Sequence, residues 1–148
     1  MSINQFFNQI PRERDLALWG IQDYWTTPDE LMSLSKGDCE DLAIAKYFVL
    51  RQLGVSEQKI NMAYGKSFDT ETGILEPHMV LIYYSNKKNL LILDSLKTSL
   101  TRLDKRTDLM LEYSFNTESL WRIQDGHKGQ LMGRADNIKR WSNLLKRM

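Results

Sequence analysis

The sequence predicts an α+β protein in which a central helix carrying the only cysteine packs on an antiparallel sheet. Three observations lead there. Leu42 to Leu53 is an apolar segment with little polar face. Gly37 and Asp38 open it as turn and N-cap, and Gly54 stops it, so it reads as a helix covered on several sides. Met79 to Tyr84 and Leu90 to Leu93 are apolar runs flanking the polar stretch Ser85 to Asn89, which makes them a hairpin. From Ile60 onward the pattern turns from helical to strand-like.

The remaining elements follow in order. Phe6, Phe7 and Ile10 place a short amphipathic helix over residues 3–10, running into Pro11. Thr27-Pro28-Asp29-Glu30 combines an N-cap, a proline at N1 and an acid at N3, and predicts a helix through Leu34. Ile60, Met62 and Tyr64 alternate as in a strand, and the polar stretch 65–76 reads as a loop. Residues 95–109 read as irregular, Met110 to Phe115 as a strand with Leu120-Trp121 close behind, and Gly126, Gly129 and Gly133 as a loose connection. His127 is expected there, exposed and without a role. From Asp136 a helix is predicted to dock through Ile138, Trp141 and Leu145, with its basic side chains in solvent.

At 148 residues, the chain fits a single domain spanning 1–148. The net charge of +1 arises from acids and bases mixed along most of the sequence, which argues against a nucleic-acid partner. A lone cysteine makes no internal disulfide and leaves the redox compartment open. No apolar run approaches the roughly 20 residues that span a bilayer, so no membrane insertion is expected. Met1 to Ile10 lacks the pattern of a signal peptide. There is no repeat, phosphate-binding glycine loop or zinc-type Cys/His spacing.

Chemistry concentrates at Cys39, which sits in the first turn of the central helix between Asp38, Glu40 and Asp41. The free N–H groups and dipole of a helix start favour a thiolate, whereas three carboxylates oppose it, so the motif makes sense with a cation to offset their charge. An isolated cysteine is otherwise a small buried apolar residue, and Asp38 with Asp41 also makes an ordinary helix start. The hairpin supplies further groups. With Ser85-Asn86-Lys87 as a three-residue loop, Tyr84 pairs with Lys88 and His78 lies opposite Asp94, their Cβ atoms about 5 Å apart. An even-numbered loop would put the two on opposite faces. A nucleophilic thiol needs a base, and that base a third group to fix its tautomer, which are the roles open to Cys39, His78 and Asp94. The Cys39 N–H is one oxyanion donor, with Trp25 or Tyr24 a candidate second.

At these residues the sequence resembles the bacterial transglutaminase-like cysteine proteinases, and within them the LapG-type periplasmic proteases that release biofilm adhesins. The matching text is Leu18-Trp19-Gly20, Asp23 to Pro28, Gly37 to Tyr47, His78 to Leu81, Leu93 to Leu96 and Tyr113 to Asn116, within residues 4–121. The resemblance implies a papain-like, transglutaminase-like fold and a cysteine endopeptidase with Cys39 as nucleophile, His78 as base and Asp94 as orienting acid. It implies a Ca²⁺ site at Asp38, Glu40 and Asp41. It also implies a large adhesin cut in its N-terminal region, and inhibition by an inner-membrane cyclic-di-GMP receptor. The sequence departs from that pattern in starting without a leader or upstream helical segment, so a periplasmic location rests on the resemblance. Ser95 also stands where Asn is expected. Transglutaminase-type or amidase-type acyl transfer by the same three residues, and a non-catalytic binding module, are the competing readings.

Overall fold

The structure, a computed structural model, describes residues 3–9, 25, 27–34, 39–84, 90–96, 100–124 and 127–148. Helix α1 (Ile3–Asn8) buries Asn4 and Phe7 and leaves Phe6 exposed. Helix α2 (Pro28–Leu34) starts on the capping box read from its sequence. Thr27 N–H donates to Glu30 Oε1 (3.0 Å) and Glu30 N–H to Thr27 Oγ1 (3.2 Å). Helix α3 (Cys39–Gln52) is buried at every residue from Cys39 to Tyr47. Gly54, at φ +98°, ends it: its N–H bonds the Arg51 carbonyl, and the Val55 N–H bonds the Leu50 carbonyl.

The strands are β1 (Ile60–Phe68), β2 (Leu75–Tyr84), β3 (Leu90–Leu93), β4 (Thr101–Arg102), β5 (Leu109–Phe115), β6 (Ser119–Gln124) and β7 (His127–Arg134). They form one antiparallel sheet in the order β4-β3-β2-β1-β5-β6-β7. A 3₁₀ turn at Leu103–Lys105 begins the return from the β4 edge to the sheet centre beside β1.

Two parts of this sheet depart from expectation. The loop expected over 65–76 shrinks, because β1 runs on to Phe68 and pairs it with Leu75. Beyond the core the ladder is held by backbone bonds and needs no apolar alternation. The glycine-rich connection expected after Trp121 is instead the β6–β7 pair. Its register shifts beside Leu120 and Trp121, and Gly133, paired with Leu120, takes φ +141° there. Glycine in a strand marks such an irregularity as readily as it marks a loop.

The helices lie on one face. Cys39, Ala43, Ile44 and Tyr47 of α3 pack with Ile60, Met62, Met79, Leu81, Leu93 and Phe115 of the sheet. Leu42 and Ala45, on the other side of α3, pack on Phe7 and Leu31. Ala63, Val80, Ile82, Leu90, Ile92 and Leu109 make a separate cluster on the opposite face of the sheet. Helix α4 (Lys139–Arg147) follows a 3₁₀ turn at Ala135–Asn137 and so starts later than the sequence pattern indicated. Trp141 and Leu144 are fully buried, Ile138 and Leu145 partly so, and Lys139, Arg140 and Lys146 are exposed. The Trp141 indole packs among Tyr47, Phe48 and Phe115 and donates to the Asn116 carbonyl (3.0 Å). No helix among the described residues is long and apolar enough to cross a membrane.

Gly65 lets β1 and β5 approach at a β-bulge, where the register shifts between Tyr64 and Gly65. A Cβ there would lie 2.1 Å from the Met110 carbonyl oxygen and 2.7 Å from the Leu111 Cα. Both obstacles are backbone, so the strands must separate to admit a methyl group. Gly65→Ala is therefore expected to lower stability by at least the about 1–3 kcal/mol of ordinary overpacking. A wild-type denaturation midpoint would contradict this.

Candidate active site

The first turn of α3 holds Cys39, Glu40 and Asp41, with residue exposures of 6%, 8% and 0%. The Cys39 thiol donates to Glu40 Oε2 at 3.2 Å. Asp38 and Tyr24 lie outside the described residues. Trp25 is buried in the same cluster as Cys39 and stacks on Phe115 with centroids 5.9 Å apart, and its carbonyl accepts a hydrogen bond from Arg147. Its carbonyl thus ties α4 to this corner of the site.

His78 opens the buried part of β2 and is 2% exposed. Its Nε2 lies 2.6 Å from Asp94 Oδ1, and Asp94 is completely buried. The expected adjacency holds, but by a different register. Leu81 pairs with Leu93 and Tyr84 with Leu90, so five residues separate the paired ends rather than three. Both spacings are odd, which preserves the face and moves Asp94 from directly opposite His78 to a diagonal position still within reach. Beside them, the bulge at Tyr64/Gly65 faces Met79 and His78 across the β1–β2 ladder.

Asp94 is held from several directions. Its Oδ1 also accepts the Leu96 N–H (3.0 Å), its Oδ2 accepts Arg106 Nη2 (2.7 Å), and its backbone carbonyl accepts Asn8 Nδ2 (2.8 Å). Burial opposes its ionisation. The hydrogen bond and charge of His78, the Leu96 N–H and Arg106 outweigh that and hold the carboxyl well below the usual carboxylate range. Lys46, about two turns along α3 from Cys39, is buried and donates to Asn4 Oδ1 and Asn8 Oδ1, both at 2.8 Å. Desolvation lowers its ammonium to about 8 against the attraction of Asp94.

Three of these groups escape a reading of the sequence. Lys46 left a signal, being a cation inside an otherwise apolar helical run, where lysine is rarely buried without partners. Asn8 and Arg106 left none, since asparagine at a helix end and arginine near aspartate are commonplace.

The family model of the bacterial transglutaminase-like cysteine proteinases (BTLCP, peptidase C93) matches residues 1–127. The chain belongs to this family. Solved structures agree with that membership. Legionella pneumophila LapG treated with EGTA is 36% identical with a TM-score of 0.82, covering 98% of this chain and 75% of LapG. The calcium-bound form of the same protein is 36% identical with a TM-score of 0.80, covering 99% and 76%. No curated protein sequence gives a match. As a bacterial transglutaminase-like cysteine proteinase, the protein acts by a cysteine on a protein substrate, and the helix carrying Cys39 is packed on the sheet as this fold requires.

Proposed function

We propose that the protein is a calcium-dependent cysteine endopeptidase whose nucleophile is Cys39, base His78 and orienting acid Asp94. The observation that carries this reading is the buried 2.6 Å contact between His78 Nε2 and Asp94 Oδ1. With Nε2 committed to the carboxylate, Nδ1 is the ring nitrogen left to take a proton from a thiol.

In the proposed sequence His78 Nδ1 accepts the Cys39 proton and the thiolate attacks the scissile carbonyl carbon. The Cys39 N–H at the start of α3 donates to the resulting oxyanion, with Trp25 or Tyr24 as the second donor. Imidazolium returns the proton to the leaving amine as the C–N bond breaks, leaving a thioester. Water, deprotonated by Nδ1, then releases the acid and restores the thiol. Met79 and Leu81 face α3 whereas Val80 faces the other side of the sheet, and alternation groups His78 with Val80. For the transfer the thiol leaves Glu40, and the bulge at Tyr64/Gly65, whose residues pair with Met79 and His78, is the departure from regular pleat that bears on which way the imidazole faces.

Glu40 and Asp41 supply buried hard-oxygen side chains next to the thiol, a donor chemistry that fits Ca²⁺ better than zinc, and Asp38 would add a third. When bound, the ion would offset the carboxylate charge that disfavours thiolate. Existence of a calcium-bound LapG structure supports the assignment. The resemblance of the sequence to LapG-type proteases supports a periplasmic protein that cuts the N-terminal region of a large surface adhesin, releasing it and dispersing biofilm. An inner-membrane cyclic-di-GMP receptor would hold it inactive.

The test incubates the protein with adhesin N-terminal fragments, with Ca²⁺ or a chelator, and with or without an added amine. Cut fragments that disappear on chelation, while circular dichroism stays unchanged, are the expected result. Undiminished cleavage in thoroughly chelated protein would remove calcium from the mechanism, and amine adducts in place of cut fragments would move the activity to acyl transfer.

A further inference from the structure

We infer that Arg106 is a positioning residue that fixes the Asp94 carboxylate, and through it the tautomer and orientation of His78. This inference rests on the Cys39, His78, Asp94 reading above. A carboxylate held at one oxygen can swing about its side-chain torsion, and an imidazole bonded to it swings too. Here Asp94 has both oxygens occupied, Oδ1 by His78 and the Leu96 N–H, and Oδ2 by Arg106 Nη2 at 2.7 Å. The guanidinium is itself immobilised. Nε and Nη2 grip Asp108 at 2.9 and 3.0 Å in a two-pronged contact, and Nη1 reaches Thr101 Oγ1 at 3.3 Å. Its side chain is only 4% exposed, so solvent offers no substitute for these bonds.

A stabilising ion pair alone would need only one carboxylate. Arg106 instead spans two, one anchored at the start of β5 and the other bonded to His78, which makes it a rigid strut between the sheet and the catalytic carboxylate. It also sets the charge behind the imidazole. His78 is faced by Asp94, Asp94 by Arg106 and, through space, by Lys46 of α3, while Asp108 partly neutralises Arg106. Removing the guanidinium leaves Asp94 Oδ2 without its buried partner and the carboxylate free to turn about its side-chain torsion, taking the imidazole with it.

The chain has two histidines, so a His127→Gln background leaves His78 as the sole imidazole for ¹⁵N NMR. In that background His78 is expected to hold its proton on Nε2. In Arg106→Gln the tautomer preference should weaken. With an adhesin N-terminal fragment as substrate, kcat should fall about 10–100-fold, the scale of losing a group that orients an active-site ligand. KM should be unchanged. Arg106→Lys keeps the charge but cannot grip both carboxylates, and should recover part of kcat. Asp108→Asn removes an anchor of the guanidinium at a more exposed position and should produce a smaller loss of tautomer preference and of kcat. It and the lysine variant carry the test if Arg106→Gln does not fold. Wild-type kcat and tautomer in folded Arg106→Lys and Asp108→Asn would reduce Arg106 to a structural ion pair. Should Cys39→Ala retain cleavage, the triad reading falls, while the NMR result still decides whether Arg106 orients His78.

Discussion

Cys39→Ala is expected to abolish peptide-bond cleavage in a protein that still folds. Loss of one methylene-sized sulfur from the edge of the α3 packing costs little beside the contacts of Ala43, Ile44 and Tyr47 in the same cluster. The catalytic loss has no such compensation, because nothing else in this corner is a thiol. Removing a nucleophile that works as part of a unit costs on the order of 10⁶ in kcat in a well-studied hydrolase, and removing its base costs about as much. His78→Ala should therefore match Cys39→Ala, and the double variant should be no worse than either. The measurement is cleavage of an adhesin fragment beside circular dichroism of each variant. Full activity in folded Cys39→Ala would end the proposal.

Asp94→Ala is expected to lose stability as well as turnover. It strips a buried acceptor from His78 and Arg106 together, and breaking a buried ion pair by removing one partner typically costs about 3–5 kcal/mol. The folded protein holds the Asp94 carboxyl well below its unfolded pKa of about 3.9, despite its burial, through His78, Leu96 and Arg106. The folded state therefore binds fewer protons than the unfolded one. The stabilisation is fully present above the unfolded pKa and is lost as pH falls through the folded one. Denaturant titrations of the wild type should show an acid loss of stability beginning near pH 4, and Asp94→Asn should lack most of that slope. The same slope in both proteins would show that Asp94 contributes nothing to it.

The strongest features were legible where the chemistry is local. Thr27 and Glu30 cap α2 through each other because a capping box needs only four consecutive residues. Gly54 stops α3 because its conformation suits no other residue as well. The His78–Asp94 contact was legible only as a parity. Alternation decides which side of a strand a residue faces, but the number of turn residues sets the register, and composition did not reveal that five separate the paired ends. The pairing of β6 with β7 was obscured because its glycines and polar residues have no apolar alternation to display. Arg106 and Asn8 stayed hidden because their meaning lies in partners 12 and 86 positions away in the sequence. Asp38 and Tyr24 remain expectations from sequence alone.

Helix α4 leaves the ribosome after every strand of the sheet. Until Trp141 emerges, Tyr47, Phe48 and Phe115 lack the indole that lies among them and the Asn116 carbonyl lacks its donor. The nascent protein can thus assemble its sheet and its cysteine helix while an oily notch stays open until α4 arrives to close it. The closure reaches beyond packing, since Arg147 of the same helix grips the Trp25 carbonyl and pairs with Glu30. A copy that has not yet seated α4 is accordingly left with a looser corner beside the thiol.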